Sequence, residues 1–441
     1  MSDELAIRCT AIHLLRSGKT PAEVAQEVER SLAWVYKWRK RYFDAGNWQA
    51  LQDRSRAPKF APKKLPERIR QAIRAVRSEL EAEAAEPGKL SYINAHAVQG
   101  RLRQKRTAPL PSISSIEREL RAAGMTRPRK PKEPNQVMYP HLHPTQPHQL
   151  VQVDIVPRYL PGAGGPCVSC FNAIDVVSRY PTGQQYTTKR SVDAVRFLLQ
   201  VWRDLGVPDY TQVDNESCFS GGFTHPGVLG KVLRLGLMVG TELVFSPIRH
   251  PESNGSVERF HQDYTKNVWD KIDLPDLPAV HSHSPLFFDA YRRSSHHSAL
   301  QGRSPLEVHS SRPVRYLPAG LQLPAKLPLT TGKVHFIRAV SKDRQIMVLN
   351  QHWEVPTAEP DQGVWATLQF SVRGARLRIY DTAPDAQRRT CLADYLFPLK
   401  EPVLSLRQEF QRHRPDSKRS WAVTSLSWIG KTVSQWVSTM L

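Results

Sequence analysis

Three carboxylates stand where chemistry would need them. Asp154 interrupts the apolar run of residues 151–156, Asp214 directly follows a short strand pattern that ends at Val213, and Glu258 falls in a helical pattern beginning near Ser253. A carboxylate in a buried strand costs roughly several kcal/mol unless a cation or hydrogen-bond donors meet it. A divalent cation resolves that cost, and an oxygen-only donor set suits Mg2+ or Mn2+. Two such ions about 3.5–4 Å apart stabilise both the attacking and the leaving oxygen of an in-line phosphoryl displacement. Asp154, Asp214 and Glu258 are therefore the candidate catalytic and metal-ligating residues, with two ions expected.

The elements that must position them read as follows. Strand patterns occupy 150–156, 167–177 and 180–187, a helix follows at 191–205, and a strand at 210–213 ends on Asp214. A helix near 225–235, a strand at 241–245 and a helix from about 253 to 270 complete the set. Three adjacent strands followed by alternating helices and strands indicate a mixed α/β sheet with a hairpin edge. From 333 to 383 short strands return (VHFIRAV, RQIMVLN, HWEVP, WATLQFSV, ARLRIYD), which predicts a small antiparallel β-barrel over 330–385. In the tail, 386–441, Trp421, Trp428 and Trp436 would share one face were a helix to form, an apolar face that docks on protein.

The chain has 441 residues, enough for several domains, and a formal charge of +21, of which +13 lies in residues 1–134. Such a field attracts polyanions, and double-stranded DNA is the first partner it implies. That front segment reads as helices at 3–17, 20–28 and 31–44. Thr20, Pro21 and Glu23 form a capping signal, and Ser31 caps the next helix. Two helices joined by a short turn make a helix-turn-helix, whose second member offers Lys37, Arg39, Lys40 and Arg41 to the major groove. This predicts a DNA-binding domain at 1–60. Helical patterns at 65–86, 91–105 and 112–123 predict a second helical DNA-binding domain at 61–124, and the basic, proline-rich stretch 125–148 reads as a linker to a core at 149–312.

Five cysteines, no signal-peptide pattern and no apolar run of membrane-spanning length point to a soluble protein of a reduced cytoplasmic compartment, nucleoid-associated when on DNA. His141, His143, His148, Cys167 and Cys170 make a zinc site arithmetically available, but the histidines lie in the linker and the cysteine pair opens a strand, so the spacing reads as accidental.

The segments QVDIV (152–156), AIDVVSRYP (173–181), QVDNE (212–216) and SPIRHPESNGSVERFHQ (246–262) together resemble the catalytic core of the DDE integrases and transposases, the retroviral-integrase superfamily. The resemblance covers roughly 140–312, and the flanking segments are similar to those of bacterial insertion-sequence transposases. It implies an RNase H-like fold, Asp154, Asp214 and Glu258 as the metal-binding triad, and DNA cleavage and strand transfer as the activity. It also implies recognition of inverted repeats at the ends of a mobile element by a homo-oligomer. Asn254, Arg259 and Lys266, around the helix that bears Glu258, are candidate DNA contacts, together with Arg249, Lys189 and Arg190.

The chain departs from the family pattern at three places. The 43 residues between Asp214 and Glu258 exceed the usual spacing; Glu216 stands where glycine is usual; and HHSALQGRSPLEV (296–308) keeps His297 but has Ser295 and His296 in place of arginine and proline. Glu216 either adjusts metal binding or points to solvent, the second being favoured. Asp175, in AIDVVSRYP, is assigned to structure. The rival readings are a catalytically idle DNA-binding regulator derived from a transposase and a nuclease that cuts without joining.

Overall fold

The computed structural model describes residues 3–53, 65–87, 89–126, 138–162, 165–221, 227–248, 251–294 and 297–411. Arg249, Ser295, His296 and the three tail tryptophans lie outside these. The chain divides into two compact units, Met1–Leu65 and Pro66–Leu441.

The first unit is helical: α1 (Asp3–Arg16), α2 (Pro21–Glu27) and α3 (Leu32–Ala45). The start signals read from sequence are present as bonds. The Thr20 hydroxyl accepts from the Glu23 amide while the Glu23 carboxylate accepts from the Thr20 amide, and Ser31 caps α3 through the Trp34 amide. Gly46, in the left-handed region, ends α3. Ala11, Ile12, Val24, Val35, Trp38 and Leu51 form its core.

In the second unit α4 (Glu67–Ala85), α5 (Ala95–Gln104) and α6 (Ile113–Ala122) pack through Ile69, Ile73, Val76, Leu80, Val98, Leu102, Ile116 and Leu120. Much of their basic charge is answered internally: Arg70 and Arg74 share Glu119 and Glu67, and Arg101 bridges Glu79 and Glu83. The three helices do not stand apart from the sheet domain, because Leu90 and Tyr92 pack into the cluster beneath the helices that follow β5.

The core sheet begins with β1 (Leu150–Tyr159), β2 (Cys167–Asp175) and β3 (Pro181–Tyr186), an antiparallel meander. After α7 (Ser191–Asp204) comes β4 (Tyr210–Val213), parallel to β1. A single turn α8 (Ser217–Ser220) and α9 (Lys231–Val239) lead to β5 (Glu242–Phe245), parallel to β4. The mixed sheet with a hairpin edge is as expected. One face, with Val151, Val153, Phe171 and Ala173, is covered by α7 and α9. The other, with Val168, Cys170 and Ile174, is covered by α10 (Gly255–Tyr264) and α11 (Leu277–Arg293); a short α12 (Pro305–His309) follows.

The C-terminal strands are present, but they do not close into a separate barrel. β6 (Gly332–Ala339) pairs parallel with β5 on one side and antiparallel with β9 (Gly363–Ser371) on the other; β10 (Gly374–Tyr380) and β11 (Cys391–Phe397) continue outward. The result is one nine-stranded sheet of order β11-β10-β9-β6-β5-β4-β1-β2-β3. The strand pattern read locally could not reveal that the outer edge of β5 needs a partner for its backbone groups. Phe245 and Phe336 stack across the join at 4.9 Å. β7 (Gln345–Val348) and β8 (Gln351–Glu354) form a separate hairpin. The expectation of a helical tail from 386 is corrected by β11, which lies within it and pairs with β10.

Candidate active site

β1 carries two lines of side chains. Val151, Val153 and Ile155 enter the core under α7 and α9, so Gln152, Asp154 and Arg158 project from the opposite face, along α10. Each of the three meets that helix or its continuation. The Gln152 carboxamide oxygen accepts from the Ser256 and Val257 amides, Asp154 Oδ2 lies 3.4 Å from His261 Nδ1, and Arg158 donates to the Thr265 hydroxyl. Glu258, in the first turn of α10, thus rides on a helix laid over the strand that bears Asp154. Thr265 opens a π turn, Thr265–Trp269, where a continuous helix is predicted.

Asp214 is placed by strand register. Gln152 lies opposite Gln212 in the parallel β1–β4 pair, and two residues further along each strand stand Asp154 and Asp214. The Glu216 amide donates to Asp214 Oδ1 at 3.0 Å, turning the chain at the end of β4.

Burial raises the Asp154 carboxyl from its ordinary value to about 6, with the charges of Glu216 and Glu258 adding to the rise. Burial likewise takes Asp214 to about 7, helped by Glu216 and Asp154. Glu216 contributes to the rise at both aspartates. An acidic cluster of oxygen donors that repel one another at neutral pH fits a hard divalent cation. The three carboxylates are not drawn into one tight knot: among the described residues, the group of three His, Cys, Asp or Glu side chains whose ligand atoms all lie within 4.8 Å is His148, Asp175 and His309.

Glu216 is corrected from a solvent-facing residue to a half-buried one beside both aspartates, with Lys189 Nζ at 2.8 Å from its carboxylate. Asn254 is also corrected. It is buried, and its Oδ1 accepts from Gln212 Nε2 at 2.7 Å and the Ser246 hydroxyl at 3.0 Å, so its amide oxygen is committed inside the protein. The Ser256 and Val257 amides at the start of α10 are likewise bonded to Gln152 Oε1. Arg259 and Lys266 are exposed on α10 and its continuation, and Lys37, Arg39 and Lys40 are exposed on α3. Arg41 lies over the Trp38 ring, 4.5 Å from its centroid.

Sequence reasoning missed Arg338 of β6. Its buried guanidinium donates to Asn215 Oδ1 at 2.9 Å and to the Ser246 carbonyl at 3.2 Å, bracing the segments that follow β4 and β5. No local signal marks this role, since Asn215 and Ser246 lie more than ninety residues away along the chain.

Asp175 has the structural place assigned to it. It is fully buried and accepts from the amides of His148, Val177 and Ser178 and from the Ser178 hydroxyl. His148 faces the carbonyls of Leu205 and His309, and His309 faces Leu205 and Ser178. Each ring nitrogen already has a hydrogen-bonding neighbour, and the cluster ties the start of β1, the end of β2, α7 and α12 together. His141 and His143 are not in that group, and neither is Cys167 or Cys170.

Residues 8–71 match the winged helix-turn-helix family. Among solved structures, the chain is similar to the HTLV-2 integrase catalytic core domain in complex with magnesium in its trimeric form. The identity is 16% over 38% of this chain and 99% of that one, with a TM-score of 0.30. It is similar to a chain of the simian T-cell lymphotropic virus intasome in complex with PP2A regulatory subunit B56 gamma, at 15% identity over 70% and 99% and a TM-score of 0.32. It is also similar to the catalytic core domain of BIV integrase, at 18% identity over 37% and 94% and a TM-score of 0.25. No described helix is long and apolar enough to cross a membrane.

Proposed function

We propose that this chain is a DDE-type transposase or integrase that binds the inverted repeats at the ends of a mobile element and carries out metal-dependent DNA cleavage and strand transfer. The observation that carries the reading is the register that sets Asp154 on β1 near Asp214, one residue beyond β4, with Glu258 on α10, near enough to act on Asp154, and the aspartates raised to about 6 and 7. The QVD, DNE and SNGSVERFHQ segments that resemble the DDE core contribute these same three carboxylates.

Mg2+ or Mn2+, two ions held by Asp154, Asp214 and Glu258, would supply activation of the attacking oxygen and stabilisation of the leaving one. The carboxylates serve as ligands and form no bond to phosphorus. Lys189 neutralises Glu216 beside the two aspartates, and the exposed Arg259 and Lys266 contact the sugar-phosphate backbone near the scissile bond. The winged helix-turn-helix segment reads the element end, with α3 in the major groove and Lys37, Arg39 and Lys40 facing DNA. Two element ends handled together require at least two copies of the chain on DNA.

The test combines a labelled element end, taken from inverted repeats flanking the coding region, with a supercoiled target and Mg2+. Joined product supports the proposal. Cleavage without joining identifies a nuclease, and binding alone identifies a regulator; either result overturns it.

A further inference from the structure

The tripeptide Gln-Val-Asp occurs at 152–154 and again at 212–214, in parallel neighbouring strands and in register, Gln152 opposite Gln212. Side chains two apart on a strand share a face, so each glutamine lies beneath the aspartate of its own strand. Both glutamines are buried, and both are turned toward the segment that immediately precedes Glu258.

Gln152 Nε2 donates to the Ser253 carbonyl at 3.0 Å, while its Oε1 accepts from the Ser256 and Val257 amides at 3.1 and 3.4 Å. Gln212 Nε2 lies 3.0 Å from the same Ser253 carbonyl, 2.7 Å from Asn254 Oδ1 and 3.1 Å from the Ser246 hydroxyl. One carbonyl oxygen therefore receives a bond from each aspartate-bearing strand. Arg179 adds a bond to the Ser256 hydroxyl.

We propose that Gln152 and Gln212 are positioning residues that hold Glu258 in register with Asp154 and Asp214, so that the three carboxylates can share one pair of divalent cations. The inference rests on the metal-dependent reading given above. The chemistry of the carboxamide supports it. At position 152 the carboxamide accepts from two helix N–H groups through its oxygen and donates to a carbonyl through its nitrogen, a division of roles between two separate atoms. A glutamate here would lose the donor and add a charge beside an acidic cluster. An apolar residue at 152 would take the acceptor from two helix amides, and one at either position would remove one of the two glutamine bonds to the Ser253 carbonyl, so α10 could rotate or slide on β1, carrying Glu258 with it.

The test uses the full chain and Mn2+ alone, with free Mn2+ followed by electron paramagnetic resonance at a temperature where circular dichroism shows every variant folded. Gln152→Met and Gln212→Met are each expected to weaken Mn2+ binding at least tenfold. Val232→Ala, a buried core residue of α9, is expected to lower the melting temperature while leaving Mn2+ affinity at the wild-type value, which separates positioning from general destabilisation. Should a methionine variant not fold, Gln152→Asn or Gln212→Asn, which keeps the amide but withdraws it by one methylene, serves in its place with the same expected loss. Wild-type affinity in the glutamine variants overturns the positioning role. Unchanged Mn2+ binding in Asp154→Asn overturns the metal-dependent reading itself, a result distinguishable from the first because it is read on a different residue.

Discussion

Asp154 Oδ2 and His261 Nδ1 are 3.4 Å apart, the imidazole standing one helical turn beyond Glu258 on α10. Burial and the nearby Arg158 charge push the His261 imidazole down to about 3, so it is neutral at physiological pH. A neutral ring can donate Nδ1–H to the carboxylate and fix which oxygen is presented to the pocket.

His261→Ala is therefore expected to weaken divalent-ion binding by about 10–100-fold, the usual effect of removing a group that orients a ligand. His261→Asn, which retains a donor, should recover part of the loss. Isothermal titration with Mn2+ measures both.

The raised carboxyls set a pH dependence. In the folded protein Asp154 and Asp214 hold protons up to about pH 6 and 7, whereas the unfolded chain releases them near 4. Between those limits the native state binds more protons, so these two groups favour the folded state at low pH, and their contribution is lost as pH rises through 6 to 7. A divalent cation replaces the protons. The increase in melting temperature on adding Mg2+ should be small at pH 5 and grow through pH 6–7, as followed by differential scanning calorimetry. In Asp154→Asn/Asp214→Asn the growth should vanish.

Asp175 predicts a different outcome from the triad. Asp175→Ala removes a buried carboxylate that accepts four hydrogen bonds, and should destabilise the protein by roughly 3–5 kcal/mol. Mn2+ affinity of the folded fraction should be unchanged. Urea denaturation together with metal titration separates the two effects.

On α3, Lys37 and Lys40 are exposed whereas Arg41 covers Trp38. Lys37→Ala and Lys40→Ala should each weaken DNA binding and reduce the slope of log affinity against log salt by about 0.9 if one phosphate contact is lost. Arg41→Ala should act mainly by lowering the melting temperature of the first unit. Fluorescence anisotropy over a salt series provides the first comparison.

The parts of this fold that were legible in the chain are those set by neighbouring residues. Thr20, Ser31 and Ser112 announced helix starts because a cap acts within one turn. The triad strands were legible because Asp154 interrupts one short apolar pattern and Asp214 directly follows another. Features set by distant partners were not. The union of β5 with β6 joins Leu243 to Val334, and nothing local in VHFIRAV says whether its outer neighbour is a barrel mate or the catalytic sheet. Asn254 read as a DNA contact at the start of the helix bearing Glu258, although its amide oxygen accepts from Gln212 and Ser246 inside the protein. Glu216 read as solvated because the fold that turns it toward Asp154 lies outside its own segment. The repeated Gln-Val-Asp was a visible signal whose meaning depended on knowing that the two strands are adjacent.

The most direct measurement is anomalous diffraction from crystals soaked in Mn2+. Two manganese peaks are expected among Asp154, Asp214 and Glu258, both absent in Asp154→Asn. Manganese at His148, Asp175 and His309 instead, or none beside Asp154, would contradict the assignment of the three carboxylates as a catalytic metal site.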